Sequence, residues 1–154
     1  MDDRNNRRAV DLLNSFPLLL IPVLIYNLVA LFAGAPQPDQ TEPALAAVMR
    51  GEAFTLPMLS GVMLMLNWGD MLLLLTIVFL LVEVVRSTRR GASSIANLLL
   101  TMAVFLLCAI EFLLLPRFVS ATFFLLTMIV LLHGLTGLSL WLADRRHGAA
   151  APPA

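Results

Sequence analysis

The sequence is poor in charge and in cysteine, and it contains no lysine. Of its 154 residues only 13% are charged, whereas 60% are hydrophobic. The apolar residues form long blocks and lack the scattered spacing of a soluble core, which is typical of an integral membrane protein. The ten basic residues are all arginine and are balanced by ten acids, so the charge gives no reason to expect nucleic acid as a partner.

The single cysteine, Cys108, lies inside an apolar run. One cysteine excludes an internal disulfide and a thiolate metal cluster, and packing is the expected role of a lone thiol in such a run. The sequence also lacks a P-loop, a G-x-S-x-G elbow, an H-E-x-x-H motif and a CxxC motif. We therefore expect no enzyme, no catalytic residues, no cofactor and no metal site.

Four apolar runs approach the roughly 20 residues that a helix needs to cross the hydrocarbon of a bilayer. None alternates with period two, as the strands of a transmembrane barrel do. The sequence therefore predicts an all-α polytopic membrane protein, with a bundle of four transmembrane helices in one domain, residues 16–147. The predicted spans are residues 16–33, about 69–86, 95–115 and 119–142. A basic leader, residues 1–15, precedes this domain, and a tail expected to be disordered, residues 148–154, follows it.

The first run also has features of a secretory signal. A basic leader precedes it, and the small residues 33–35 mimic a cleavage site. Its apolar block of 18 residues is longer than the usual signal core, however, and Pro36 directly follows the site of the expected cut. We therefore expect the first span to be retained.

The arginines predict the orientation of the chain. Only Arg50 and Arg117 fall on one side of the predicted bundle. The other side carries eight: Arg4, Arg7, Arg8, Arg86, Arg89, Arg90, Arg145 and Arg146. By the positive-inside rule, both termini are expected in the cytoplasm. Trp68 and Trp141 then fall at opposite interfaces, where indole rings are favoured.

Residues 34–68 have the least regular pattern. A Pro-rich polar stretch turns into FTLPMLSGVMLMLNW, which is apolar but too short to cross a membrane alone. A single helix from residue 56 to 86 would be about 46 Å long, well beyond a hydrocarbon core of about 30 Å. We therefore expect an interfacial or re-entrant segment before helix two. Its methionines (Met58, Met63 and Met65, with Met71 nearby) raise the alternative of a copper(I) site, although packing is their expected role because no His or Cys joins them.

Span two carries two acids, Asp70 and Glu83, thirteen residues apart. They lie about 20 Å apart along a helix and on different faces, so they form no carboxylate dyad. Asp70 precedes an uninterrupted apolar run and fits a helix N-cap. Glu83 lies near the cytoplasmic interface, where we expect an ion pair with Arg86 and a carboxylate directed toward water. A contact with another helix or subunit is the alternative for Glu83.

Small and polar residues form a stripe on one face of each later span, and such stripes should face protein. The stripes are Gly69, Thr76 and Glu83 in span two; Asn97, Thr101, Cys108 and Glu111 in span three; and Ser120, Thr127 and Gly134 in span four. Glu111 lies at the depth of Asp70 and Arg117, so we expect these three side chains to form a cluster at the outer mouth of the bundle. For His133 we expect a neutral imidazole bonded to a neighbouring helix, with proton handling or cofactor ligation as the alternative.

Several motifs between about residues 54 and 132 carry a resemblance. PMLSG, NWGDMLLLL, Glu83 followed by RSTR, and IEFLLLPRFVSATFFLLTMIVL are similar to those of a group of small, uncharacterised four-span inner-membrane proteins of alphaproteobacteria. The resemblance implies a bacterial inner membrane and no particular chemistry.

These features predict an accessory or scaffold subunit that packs against other membrane proteins in a larger inner-membrane complex. The alternative is a small oligomeric transporter, or a proton or cation conductor, that uses Glu111, Asp70 and His133. The expected partners are the lipid bilayer and either a membrane protein or further copies of this chain.

Overall fold

In a computed structural model of the chain, residues 17–34, 42–89 and 95–149 are described. The helices are α1 (Leu20–Phe32), α2 (Ala44–Arg50), α3 (Trp68–Arg89), α4 (Ile95–Leu114) and α5 (Ala121–Ala149), and the strands are β1 (Glu52–Pro57) and β2 (Met63–Asn67). A short 3-10 turn, Pro116–Phe118, joins α4 to α5. The predicted leader lies outside the described residues, and α5 extends two residues into the predicted tail.

Three of these helices are long and apolar enough to cross a membrane, namely Trp68–Arg86, Ile95–Leu114 and Ala121–Ala143. They coincide with predicted spans two, three and four, which confirms a mostly helical chain of membrane-protein character. Predicted span one is shorter than expected. Its helix, α1, has 13 residues, a length of about 20 Å. The chain forms a turn just before it, in which the Leu20 N–H donates to the Pro17 carbonyl at 3.0 Å.

The predicted polar stripes do face protein. Thr76, Thr101 and Thr127 are buried, and each donates its hydroxyl to the carbonyl four residues earlier at 2.7 to 2.9 Å. The outer surfaces of the same helices expose leucine, isoleucine and valine side chains. This distribution is suited to lipid outside and protein inside.

Glycines in these stripes allow close helix packing. A Cβ atom at Gly134 on α5 would collide with the end of the Met102 side chain on α4. At Gly69 on α3, a Cβ would collide with the Thr122 hydroxyl of α5 and lie 3.2 Å from the Met49 carbonyl of α2. The small-residue groove predicted on span four is therefore filled by α4 at Gly134.

Residues 52–67 form an antiparallel hairpin, so the all-α prediction was wrong here, whereas the expected interfacial or re-entrant position of this segment stays a prediction. Pairing runs from Phe54 opposite Leu66 to Pro57 opposite Met63. The Gly61 N–H donates to the Met58 carbonyl at 3.0 Å, and Gly61 has a φ of 81°. This is the left-handed position that ends a three-residue hairpin loop. The prediction failed because short apolar runs do not distinguish a strand from a helix.

The hairpin and α2 lie at one end of the bundle, called here the hairpin end. The Trp68 N–H at the start of α3 donates to the Gly51 carbonyl at 3.1 Å, which ties the strands to the first turn of the helix. Helix α2 buries Leu45, Ala46 and Met49. Both α3 and α5 begin at this end and run in the same direction.

Candidate functional site: polar contacts around helix α1

Helix α1 is joined by polar contacts to all three long helices. Its sequence, LIPVLIYNLVALF, is apolar apart from Tyr26 and Asn27. Both side chains bond to other helices, and the backbone just before α1 makes a third contact. Few alternative partners exist for polar groups away from water, so each contact helps to define where α1 packs.

The first contact joins α1 to α4. Asn27 Nδ2 donates to Glu111 Oε2 at 3.1 Å and also lies 3.2 Å from the Val23 carbonyl. Within residues 17–34, 42–89 and 95–149, no hydrogen bond or ion pair joins Glu111 to Asp70 or Arg117. The predicted cluster of these three residues is therefore wrong, because α1 supplies the partner of Glu111.

The second contact joins α1 to the start of α5. The Tyr26 hydroxyl lies 2.6 Å from Ser120 Oγ, which also accepts the Phe123 N–H at 3.0 Å and so caps α5. The Tyr26 ring stacks on the Phe123 ring with centroids 4.6 Å apart, and Phe118 lies 6.0 Å from Tyr26. Tyr26 thus combines a hydrogen bond with close aromatic packing in the described core.

Asp70 is part of the cap of α3. Its Oδ2 accepts the Asn67 N–H at 3.0 Å, and Asn67 Oδ1 accepts the Asp70 N–H at 2.8 Å. This reciprocal arrangement is a capping box. The capping role predicted for Asp70 is confirmed, but the N-cap residue itself is Asn67, and Asp70 lies three residues later.

The third contact of α1 involves Glu83 of α3. Glu83 Oε2 accepts the Leu19 backbone N–H at 3.3 Å, and Glu83 Oε1 lies 3.5 Å from His133 Nε2 on α5. Only 5% of Glu83 is exposed, so the predicted carboxylate directed toward water was wrong and the alternative of a contact with another helix was right. A carboxylate at the start of α1 also complements the positive end of the helix dipole.

His133 completes this acid-histidine pair, as Glu83 and His133 are called below. His133 is 9% exposed. Its Nδ1 atom is buried and has no hydrogen-bond partner among the described residues. Both side chains are buried, so this contact lies inside the helical bundle. Two ligands do not make a metal centre, and the described residues contain no group of three or more His, Cys, Asp or Glu that could hold a metal ion.

The number of residues between each helix start and its buried ionisable residue could have predicted this pair. Glu83 lies fifteen residues after the start of α3, and His133 lies twelve residues after the start of α5. In two parallel helices these positions differ in depth by only about 5 Å. Asn27 and Tyr26 were missed because neither was weighed as a partner for the acids of other spans.

The candidate functional residues predicted from the sequence therefore do not form one site. Glu83 and His133 lie together, Asp70 is committed to the cap of its own helix, and Glu111 is bonded to Asn27. Asp70 and Glu83 are about 20 Å apart along α3. Arg117 lies in the turn between α4 and α5 and forms no ion pair with any of the other four in the described part of the chain.

The hairpin methionines do not converge. Pro57 pairs with Met63 and Thr55 pairs with Met65, and side chains alternate between the two faces of a strand. Met63 and Met65 therefore share one face, and Met58 lies on the other. The sheet therefore separates Met58 from Met63 and Met65, which does not favour one copper(I) ion shared by these three thioethers, and the alternative that includes Met71 stays a prediction.

The long apolar helices with inward polar contacts define a helical membrane protein. The chain matches no family model, no curated protein and no solved structure. The resemblance to small alphaproteobacterial inner-membrane proteins thus stays a prediction from the sequence motifs, and function has to be inferred from the contacts described above.

Proposed function

We propose that this protein is a multi-pass accessory or scaffold subunit of a larger complex in the bacterial inner membrane. One observation carries the proposal: Glu111, Ser120 and Asp70 each have a hydrogen-bond partner in α1 or in the backbone at the start of a helix. Glu111 is hydrogen-bonded to Asn27, Ser120 to the Tyr26 hydroxyl, and Asp70 to the Asn67 backbone in the capping box. A conduction path needs polar groups that are available to water or ions, whereas paired groups hold helices together.

In this proposal α1 completes the bundle as a fourth transmembrane element, both termini are cytoplasmic and the hairpin end faces the periplasm. The unequal distribution of the arginines supports this orientation. Reporter fusions after residue 91 and at the C-terminus should read cytoplasmic, and fusions within residues 36–50 should read periplasmic. A periplasmic C-terminus would contradict the proposal.

Partner binding is tested by gentle solubilisation of the tagged protein from its native membranes. We expect a different membrane protein to co-purify in fixed stoichiometry, with the lipid-facing apolar surfaces of the long helices as its contact area. A parallel preparation from cells that produce the tag on an unrelated four-span protein controls for non-specific recovery. Recovery of this chain without any other subunit, together with ion flux by the pure protein, would contradict the proposal.

The acid-histidine pair favours a second candidate, a proton- or cation-conducting protein. His133 Nδ1 is buried without a partner among the described residues, and Glu83 lies within 3.5 Å of the same ring. A buried ionisable group inside a membrane bundle is a candidate site for proton transfer. The version predicted from sequence uses Glu111, Asp70 and His133, and these residues can be tested in the same assay.

Purified protein in liposomes with an internal pH-sensitive dye distinguishes these possibilities. If the pair conducts protons, Glu83→Gln should abolish flux and Glu111→Gln, a matched change at the acid bonded to Asn27, should preserve it. The reverse result would favour the path through Glu111. No flux in the wild type would exclude both versions and leave the subunit proposal.

A further inference from the structure

The hairpin exposes apolar side chains on both faces. Eight of them are between 39 and 111% exposed: Phe54, Leu56, Met58, Leu59, Val62, Met63, Leu64 and Met65. They are divided between the two faces of the hairpin, because successive side chains of a strand point to opposite faces. An isolated two-stranded hairpin is also only marginally stable in water.

The two edges of the hairpin differ. The Met58 N–H donates to the Val62 carbonyl at 3.0 Å, so by the alternation of antiparallel pairing the backbone groups of Thr55 and Pro57 point away from β2. Pro57 has no N–H, and the free edge of β1 is therefore blunted. On β2 the outward groups are the N–H and C=O of Met63 and Met65, which have no partner in the described part of the chain.

We propose that β2 pairs with β2 of a second copy of this chain, which joins two hairpins into a four-stranded antiparallel sheet. A two-fold axis brings the same edge of both copies together. This pairing uses the β2 edge of each copy, on which both outward residues have an N–H, and leaves outside the β1 edges, on which Pro57 has none. Hydrocarbon is not a suitable cover, because it offers no partner to backbone N–H and C=O groups.

The unpaired groups also select a register. If Met63 lies opposite Met65 of the second copy, the outward N–H and C=O groups of both residues form hydrogen bonds between the two β2 strands. This register sets Leu64 opposite Leu64 of the second copy as a non-hydrogen-bonded pair, with Cβ atoms about 4.5–5.5 Å apart. Leu56, the β1 neighbour of Leu64, would be three strand spacings from its equivalent, or about 14 Å.

Cysteine cross-linking in native membranes tests this arrangement. Leu64→Cys should form a covalent homodimer under mild oxidation, because its Cβ separation is near the 3.5–4.5 Å that a disulfide spans. Leu56→Cys is the matched control, since it lies on the same face with similar exposure, and it should stay monomeric. The wild type, whose Cys108 is buried, gives the background. Equal cross-linking of both variants, or of neither, would overturn the proposal, as would a Leu64→Cys adduct with a different protein.

A second pair of variants tests the edge itself. Met65 and Thr55 face each other across the hairpin in a pair whose backbone groups point outward, so a proline at either position removes one outward N–H and no β1 to β2 hydrogen bond. In the Leu64→Cys chain, Met65→Pro should abolish the covalent dimer and Thr55→Pro should preserve it. A dimer that survives Met65→Pro would overturn the proposal. The dimer goes beyond the proposed function. Co-purification of a different subunit tests the proposed function, and its result does not depend on this cross-link.

Discussion

The buried polar side chains of the helical bundle have partners within the chain, apart from Nδ1 of His133, whereas the backbone groups along one edge of the hairpin have none among the described residues. In the bundle, Asn27 and Tyr26 of α1 meet Glu111 and Ser120, and the outer surface is apolar. In the hairpin both faces are apolar and the outward groups of Met63 and Met65 are unpaired within that part of the chain. The outer surface of the bundle is suited to lipid, and the hairpin leaves a strand edge that water or another strand can pair with.

The difference lies in how each element satisfies its backbone. A helix pairs its own N–H and C=O groups, so only side chains have to find partners in the bundle. A strand pairs its backbone with a neighbour, and a two-stranded sheet leaves two edges over. This difference is tested by substitutions that affect the side-chain contacts of the bundle or the backbone of the hairpin, but not both.

The largest effect is expected in the aromatic core beside α1. Phe123 is fully buried against Tyr26, so Phe123→Ala should lower the free energy of unfolding by about 3–5 kcal/mol. Phe124→Ala is the matched control, since Phe124 is 44% exposed and should cost much less. Unfolding in mixed micelles measures both changes. Equal losses would mean that the burial of Phe123 against Tyr26 contributes little to stability.

The next effect concerns the acid-histidine pair. Glu83→Leu leaves the Leu19 N–H and His133 without their partner and should cost about 1–3 kcal/mol of unfolding free energy. Glu83→Gln keeps an acceptor and should cost less. The double variant with His133→Leu should lose less than the sum of the single changes, because the two side chains are in contact. Additive losses would indicate that Glu83 and His133 do not interact.

A change in the hairpin loop should act on the hairpin alone. Gly61 has a φ of 81°, and a Cβ atom added there would have no other atom within 4 Å, so Gly61→Ala should cost about 1–2 kcal/mol through backbone conformation only. Hydrogen exchange should accelerate in residues 54–66 and stay unchanged in α3, α4 and α5. Ser60→Ala, one residue earlier, is the control and should have no such effect. Faster exchange throughout the bundle would contradict the separation of the two regions.

The smallest effect is expected at the contact of α1 with α4. Glu111→Leu removes the acceptor of Asn27 and should cost about 0.5–1.5 kcal/mol, the range of hydrogen bonds between transmembrane helices. Glu111→Gln retains an acceptor and should be close to wild type. A double-mutant cycle with Asn27→Leu measures the coupling in unfolding experiments, and a coupling of zero would show that the 3.1 Å contact contributes nothing to stability.

Local pattern was sufficient for the long helices and for the faces they bury. The buried positions Thr76, Thr101 and Thr127 follow from helical periodicity and from the small size of their side chains. The cap at Asp70 could also be predicted, because capping involves residues only three positions apart. The hairpin was missed although Ser60 and Gly61 between two apolar runs are a hairpin signal.

The partners of the buried acids could not be predicted in the same way. Periodicity places Glu111 on an inward face, but whether Asn27, Asp70 or Arg117 meets it depends on which helices are neighbours. Glu83 likewise has Arg86 three residues away in sequence, while in the fold its carboxylate meets the start of α1 and His133. Contacts between residues so far apart in the sequence depend on the packing of whole helices.

The sequence by itself determined the membrane class, the three long apolar helices and the inward face of each, because backbone pairing within a helix and transfer of apolar side chains to lipid are local properties of a chain segment. Only the tertiary structure decided that α1 supplies partners to Glu83, Glu111 and Ser120, and that residues 52–67 pair as the two strands of a hairpin. Those features depend on which segments are neighbours in space, and the apolar surfaces that hold the segments together are non-directional and specify no partner on their own.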